Sequence, residues 1–253
     1  MSKTMITVND LVVSFGEKRV LDRISFDVRP GEVFVILGGS GCGKSTLLRH
    51  LVGLREPQGG QIIINGHDIT TDSLENMDKA IESFGVMFQS GALFGSMTLL
   101  ENVRLPLEEK TELPRKVMDE MAAHKLRQVG LGDFLHYVPA EISGGMQKRA
   151  AIARAMALDP PMLFLDEPSA GLDPITSAKL DELILELSKT LGVTFVVVSH
   201  ELPSIFAIAD RVIMLQDGKI VAEGDPRDLR DHCEQPFVRQ FFHRESDKAS
   251  VNG

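Results

Sequence analysis

The run Gly38-Gly39-Ser40-Gly41-Cys42-Gly43-Lys44-Ser45 constrains this chain more than any other stretch. It sits between a β-prone apolar run, Val33 to Leu37, and a stretch of helical spacing, Ser45 to Leu54, that Pro57 is expected to end. So much glycine lets the backbone curl until successive amides face one centre, and amides so arranged bind anionic oxygens. The following helix aims its partial positive end at the same place. Lys44 adds a compact cation for terminal phosphates and Ser45 a hydroxyl for Mg²⁺. The pattern G-x-x-x-x-G-K-[ST], with a strand before and a helix after, therefore predicts a nucleotide-phosphate site built by Gly38, Gly39, Ser40, Gly41, Cys42, Gly43, Lys44, Ser45 and Thr46. Cys42 belongs to it by position alone, since its side chain has no chemical task there.

The rest of the chain reads as an α/β protein. Short strands with turn signals come first: Met5 to Val8, Val12 to Ser14 and Ile24 to Val28, broken at Phe15-Gly16 and Pro30-Gly31. Met162 to Leu165, Thr194 to Val198 and Val212 to Leu215 are continuous apolar runs of the kind found in strands covered on both faces. Between the first two, Ile175, Leu180, Leu183, Ile184, Leu187 and Leu191 keep helical spacing, with Asp173 to cap the start, Pro174 at the first position and Gly192 at the stop. Strands alternating with helices predict a mainly parallel sheet with helical crossovers. From about residue 90 to 158 the periodicity is mostly helical, including Val117, Met118, Met121, Ala122, Leu126 and Val129 ended by Gly130, which reads as a helical insertion. Asp217-Gly218 marks a hairpin. After about residue 226 the chain turns polar, with Phe237, Val238, Phe241 and Phe242 as its one apolar cluster.

Composition narrows the partners. The formal net charge of -9 speaks against a nucleic-acid backbone as main partner, because phosphate neutralisation needs concentrated basic surface. Cys42 and Cys233 are too few for a disulfide framework, so a reducing compartment is expected. The start, MSKTMITVND, lacks the apolar stretch of a secretory signal, and the longest apolar runs have strand length rather than the ~20 residues of a spanning helix. Work at a membrane would be done from outside the bilayer.

Met162-Leu163-Phe164-Leu165-Asp166-Glu167 is an apolar strand ending in two acids. Beside a phosphate loop, the first is suited to hold Mg²⁺ next to Ser45 and the second to polarise a water at the terminal phosphate.

Together with four further motifs, these elements resemble the nucleotide-binding subunits of ABC transporters over about residues 5 to 225. Ile142-Ser143-Gly144-Gly145-Met146-Gln147 resembles the family's signature sequence, before a helix from Lys148 to Ala157. Gln89 sits where the Q-loop glutamine lies, Ser169-Ala170-Gly171-Leu172-Asp173 resembles the D-loop, His200 resembles the switch histidine, and Phe15 is placed like the aromatic residue that stacks on adenine. Met146 departs from the pattern, standing where the family has glutamine. Backbone and Ser143 contacts survive that change; any role of an amide at this position does not.

The resemblance implies a P-loop NTPase (RecA-like) core of mainly parallel sheet with an N-terminal antiparallel β subdomain (1–88 and 159–225), a helical subdomain with the signature motif (89–158) and a C-terminal extension (226–253). It implies ATP and Mg²⁺ as ligands, with Ser45, Gln89 and Asp166 toward the metal and Glu167, His200, Gln89 and Lys44 in hydrolysis. Two copies would sandwich two ATP molecules, Ser143, Gly144 and Gly145 of one completing the site on the other. A separate integral-membrane permease would respond, with Phe84 to Asn102 as the expected contact. The strings FQSGALF, ISGGMQKRAAIARA and LDPITSAKL resemble the ATPases of bacterial lipid transport systems with an MCE-domain partner, the Mla group, on the cytoplasmic face of the inner membrane. In that group a C-terminal extension reaches the other ATPase subunit, and the apolar cluster of the tail is a candidate anchor; a loosely held solvated helix is the other reading. An ATPase of an amino-acid or other small-solute importer is the alternative, and a soluble ABC-type clamp on DNA or ribosomes a third.

Overall fold

The computed structural model describes residues 4–71 and 73–243. It opens with strands β1 (Ile6–Phe15), β2 (Lys18–Val28) and β3 (Val33–Gly38), then helix α1 (Lys44–Leu51) and strands β4 (Gly59–Ile64) and β5 (His67–Asp68). Helix α2 (Leu74–Glu82), strand β6 (Phe84–Met87) and helices α3 (Leu99–Lys110), α4 (Arg115–Gln128) and α5 (Gly144–Ala155) follow. The remainder is β7 (Met162–Asp166), α6 (Pro174–Leu191), β8 (Thr194–Val198), α7 (Leu202–Ile208), β9 (Arg211–Gln216), β10 (Lys219–Gly224), α8 (Pro226–His232) and α9 (Pro236–His243).

These strands form two sheets. An antiparallel one has the order β2-β1-β4-β5, and a six-stranded one the order β10-β9-β3-β8-β7-β6. In the larger sheet every pairing is parallel except the β9/β10 hairpin. Strand β3 shows why its sequence is apolar throughout: Val33, Val35 and Leu37 face one core with α3 to α6, while Phe34 and Ile36 face a second core with α1 and the antiparallel sheet. A strand covered on both sides has no solvent face on which to place a polar residue.

Helix ends follow local chemistry. Asp173 accepts from Ile175 and Thr176 amides, Pro174 opens α6, and Gly192 closes it at φ 68°. Gly130 ends α4 as expected, with its amide on Arg127 and that of Leu131 on Leu126, the paired bonds that satisfy orphan carbonyls. Helix α1 is shorter than its spacing predicted. It stops at Leu51 because Gly53 takes φ 72° and the amides of Gly53 and Leu54 fold back on His50 and Arg49, so Pro57 lies well past the end. Two other readings also change. The separate strands at Met5 to Val8 and Val12 to Ser14 are one strand, with register shifts on either side of Leu11 and Asp10 at φ 45°. Helix α5 starts at Gly144 rather than Lys148, because the Ser143 side chain caps it by accepting from Met146 N–H.

The described part of the tail packs its apolar cluster on the chain's own core. Val238 and Phe242 are 0% and 5% exposed, and the Phe242 ring lies 5.6 Å from that of Phe206. Residues 244–253 lie outside the described region.

Asp181 on α6 is 6% exposed. Burial pushes its carboxyl up to about 6, a hydrogen bond from Ser204 opposing this and Glu201 adding to it. The folded value lies above the unfolded one, so the contribution to stability is full below about pH 4 and lost as pH rises through about 6. Asp181→Asn, which cannot ionise, is expected to raise Tm by about 5 °C at pH 8, from about 2 kcal/mol. The gain should shrink as pH falls toward 4; the same gain at both pH values contradicts the assignment.

Candidate functional site

Four parallel strands deliver the candidate residues to one edge. The glycine-rich loop leaves β3, Asp166 ends β7, His200 follows β8, and Gln89 follows β6. Register locks these ends together: Ile36 pairs with Val198, Asp166 with Val198, and Met87 with Leu165. Open α/β sheets bind ligands outside the carboxyl ends of their strands, so this is where a nucleotide site belongs.

The loop needs its glycines. Gly43 stands at φ 111°, and a Cβ there would lie 2.8 Å from Leu21 Cδ2. At Gly38 a Cβ would meet the Leu215 carbonyl at 2.4 Å, so the loop is pressed against the end of β9. Lys44 is 8% exposed, and its Nζ donates to the carbonyls of Gly38 at 2.8 Å and Gly39 at 3.0 Å, which holds the ammonium inside the curl. Ser40, Gly41 and Ser45 are exposed; Gly39, Cys42 and Thr46 are half-buried. Behind the loop, buried His50 shares a 2.7 Å hydrogen bond from its ring to the Thr46 carbonyl, a satisfied core histidine.

Asp166 and Glu167 differ in setting. Burial raises the Asp166 carboxyl above the usual carboxylate value, the neighbouring Glu167 adds to this, and Arg49, Lys148 and Lys44 oppose it. Its Oδ1 is buried without a hydrogen-bond partner among the described residues. A buried acceptor left unpaired at the edge of a phosphate loop is what a hard divalent cation takes up, so the donor set fits Mg²⁺. Glu167 is 8% exposed and stands at φ 48°, a conformation that costs a non-glycine residue about 1 kcal/mol or more and that persists where surroundings enforce it. Its amide donates to the Val198 carbonyl at 2.9 Å. Its Oε1 lies 2.8 Å from His200 Nδ1, while Oε2 is buried and has no hydrogen-bond partner among the described residues. Structure thus brings together two residues that are 33 positions apart.

A cavity of about 640 Å³ opens beside these groups, lined among others by Arg49, Gln89, Gly144, Lys148, Asp166 and Gly171. Arg49 and Lys148 went unnoticed in the sequence. Arg49 follows Ser45 by four residues, about one helical turn, a spacing that was readable; Lys148 had no such signal. Ser143 and Gly144 are exposed, whereas Gly145 packs beneath, where a Cβ would come within 2.4 Å of Thr176 Cγ2. Gln147 does not replace the amide missing at Met146, because its Nε2 is committed to the carbonyls of Pro139 and Ile142. Phe15 stands apart at the end of β1, 46% exposed, with the Arg55 guanidinium 5.2 Å over its ring.

Comparison with known proteins agrees with this geometry. The family model described as "ABC transporter" matches residues 21–170. The intermembrane phospholipid transport ATP-binding protein MlaF of Escherichia coli (strain K12) is 42% identical over 238 residues, covering 94% of this chain and 88% of that one. The probable ribonucleotide transport ATP-binding protein mkl of Mycobacterium tuberculosis (strain H37Rv) is 41% identical over 238 residues, covering 94% of this chain and 66% of the relative's length. Among solved structures, the dimeric post-hydrolysis state of the ATP-binding cassette MJ0796 bound to ADP and Pi superposes with a TM-score of 0.79 at 31% identity, covering 87% of this chain and 98% of that one. Clostridium perfringens cbiO1, part of the ABC transporter complex cbiONQ, gives a TM-score of 0.82 at 29% identity over 89% of this chain and 90% of that one.

Proposed function

Because this chain belongs to the ABC transporter family and carries that family's ATPase fold, we propose that it is the ATP-hydrolysing subunit of a transporter that moves phospholipids between membranes. The observation that carries the catalytic half is the Glu167–His200 contact at the sheet edge that ends in the phosphate loop. Lys44 and the loop amides bind the ATP phosphates, and Phe15, with one ring face under Arg55, offers the other to adenine. Glu167 accepts the proton of the attacking water while His200 fixes its carboxylate, and Gln89 orients that water from the neighbouring strand end. Ser45, Asp166 and Gln89 would hold Mg²⁺, which supplies charge neutralisation at the phosphates. Ser143 and Gly144 face outward at the start of α5, where a second copy presents its nucleotide.

Among the described residues no helix is long and apolar enough to cross a membrane. In the proposed transporter a separate permease carries the pathway. A cleft of about 510 Å³ lined by Ile81, Val86, Phe88, Phe94, Pro106 and Leu158 supports its docking within the expected window, Phe84 to Asn102. Exposed aromatics, with Phe94 at 50%, suit an apolar segment from such a partner. In this reading the chain works peripherally at the inner face of the inner membrane, with residues 89–158 as the unit that reads the permease.

The cargo follows from the MlaF relatives, which are similar over almost their whole length. The mkl relatives support a second reading, ribonucleotides. A tagged full-length chain purified from solubilised membranes should bring down a permease, an MCE-domain protein and bound phospholipid. Recovery of a solute permease with a soluble binding protein, or of ribonucleotide-stimulated ATPase in the complex, overturns the phospholipid assignment and leaves the ATPase standing.

A further inference from the structure

Lys148 begins as an anomaly: a lysine that is 8% exposed in the second turn of α5. Lysine seldom loses its water unless its ammonium is fully used. Here Nζ donates to two main-chain carbonyls, that of Gln89 at 2.5 Å and that of Glu167 at 3.5 Å. Gln89 follows β6 and Glu167 follows β7, so one ammonium spans two neighbouring strand ends. Arg154, one and a half turns further along α5, reaches the next carbonyls of the same segment, Gly91 at 3.0 Å and Ala92 at 2.6 Å. Helix α5 is therefore stitched to the segment after β6 at both its ends, and at the Lys148 end also to the backbone of Glu167.

The carbonyl that Lys148 takes from Glu167 belongs to a residue already held at φ 48°. That conformation aims the carboxylate at His200, and the Val198 carbonyl restrains it through the amide on the other side of the residue. We infer that Lys148 is a positioning residue for hydrolysis, tying the backbones of Gln89 and Glu167 to the helix that carries Ser143 and Gly144. A movement of α5, whether from a second copy at its start or from a permease at the Gln89 segment, then shifts the Glu167 backbone directly. The inference rests on the reading of Glu167 as the group that activates water.

Lys148→Met keeps the length and packing of the stem and removes the donors. In the full chain it should lower kcat for ATP about 10- to 100-fold, the cost of a misplaced catalytic group. KM, and the affinity for a fluorescent ATP analogue measured without turnover, should stay within about twofold, since Lys148 touches no part of the phosphate loop. Lys148→Arg, whose guanidinium can serve two acceptors, should recover most of the loss. Three results each overturn the proposal: kcat within twofold of the parent in Lys148→Met, an equal loss in Lys148→Arg, or a loss of analogue affinity that matches the fall in kcat. Where Lys148→Met does not fold, Lys148→Gln carries the same test, and its kcat must fall below that of Lys148→Arg at unchanged affinity. If Glu167→Gln hydrolyses ATP normally, the underlying reading fails; if it does not and Lys148→Met does, only this proposal fails.

Discussion

Glu167→Gln is expected to abolish steady-state turnover, by about 10²- to 10⁴-fold, while ATP binding survives. The substitution is nearly isosteric, so the carbonyl oxygen of the new amide can still accept from His200, as Oε1 does now at 2.8 Å. What disappears is basicity at Oε2, the buried oxygen that has no hydrogen-bond partner among the described residues and is thus free to receive a proton. The phosphate loop is untouched, because Lys44 is held by Gly38 and Gly39 and not by Glu167. Removal of one negative charge from the nucleotide edge also favours retention of the ATP tetra-anion. The variant should therefore elute as an ATP-dependent dimer in size-exclusion chromatography while phosphate release falls to background. Near-normal hydrolysis removes Glu167 as the base, and loss of nucleotide binding shows that its role is structural.

That such an experiment can be designed from one chain reflects how unevenly the molecule is written in its sequence. Strands β3, β7, β8 and β9 are continuous apolar runs because both faces are covered, and burial on both sides leaves no ambiguity of pattern. Helix α6 was legible from end to end, since Asp173, Pro174 and Gly192 are local signals that need no tertiary context. Strand β6 was not. It has four residues, and its Gly85 reads as a breaker; in the fold a Cβ there would lie 1.9 Å from the Ala155 carbonyl, so the glycine exists to let α5 come close. Strand β4, Gly59-Gly60-Gln61-Ile62-Ile63-Ile64, was masked the same way, by a glycine pair of which Gly60 is needed where it crosses the carbonyls of Asn9 and Asp10. The first half of β2 carries Lys18, Arg19 and Asp22, charges that an antiparallel strand with one solvated face accepts and a pattern search discounts. The site divides along the same line. Lys44, Asp166, Glu167 and His200 stand out in the sequence because motif and strand end coincide. The use of Lys148 depends on two carbonyls, 59 and 19 positions away, and no local pattern encodes such a meeting.

The second large effect concerns Lys44. Lys44→Ala is expected to weaken ATP binding about 100-fold or more, as follows when at least one charge-assisted contact of up to about 3 kcal/mol is lost. Two losses combine. The terminal phosphates lose the cation buried in the loop, and the carbonyls of Gly38 and Gly39 lose the donor that draws them inward, so the amides around them are no longer preorganised. The fold should remain, because α1 is anchored by Leu47, Leu48 and Leu51, which are at most 1% exposed. An unchanged melting temperature without nucleotide, together with the loss of the stabilisation that ATP gives the parent, is the expected pair of readings. Net charge makes this prediction stringent. At -9, the chain as a whole repels ATP, and every favourable electrostatic interaction with the phosphates must come from groups within a few ångströms of them. Long-range attraction cannot make up for a missing ammonium, as it would in a basic protein. Unchanged ATP affinity in Lys44→Ala would therefore count against the loop as the phosphate site, and not merely against one residue within it.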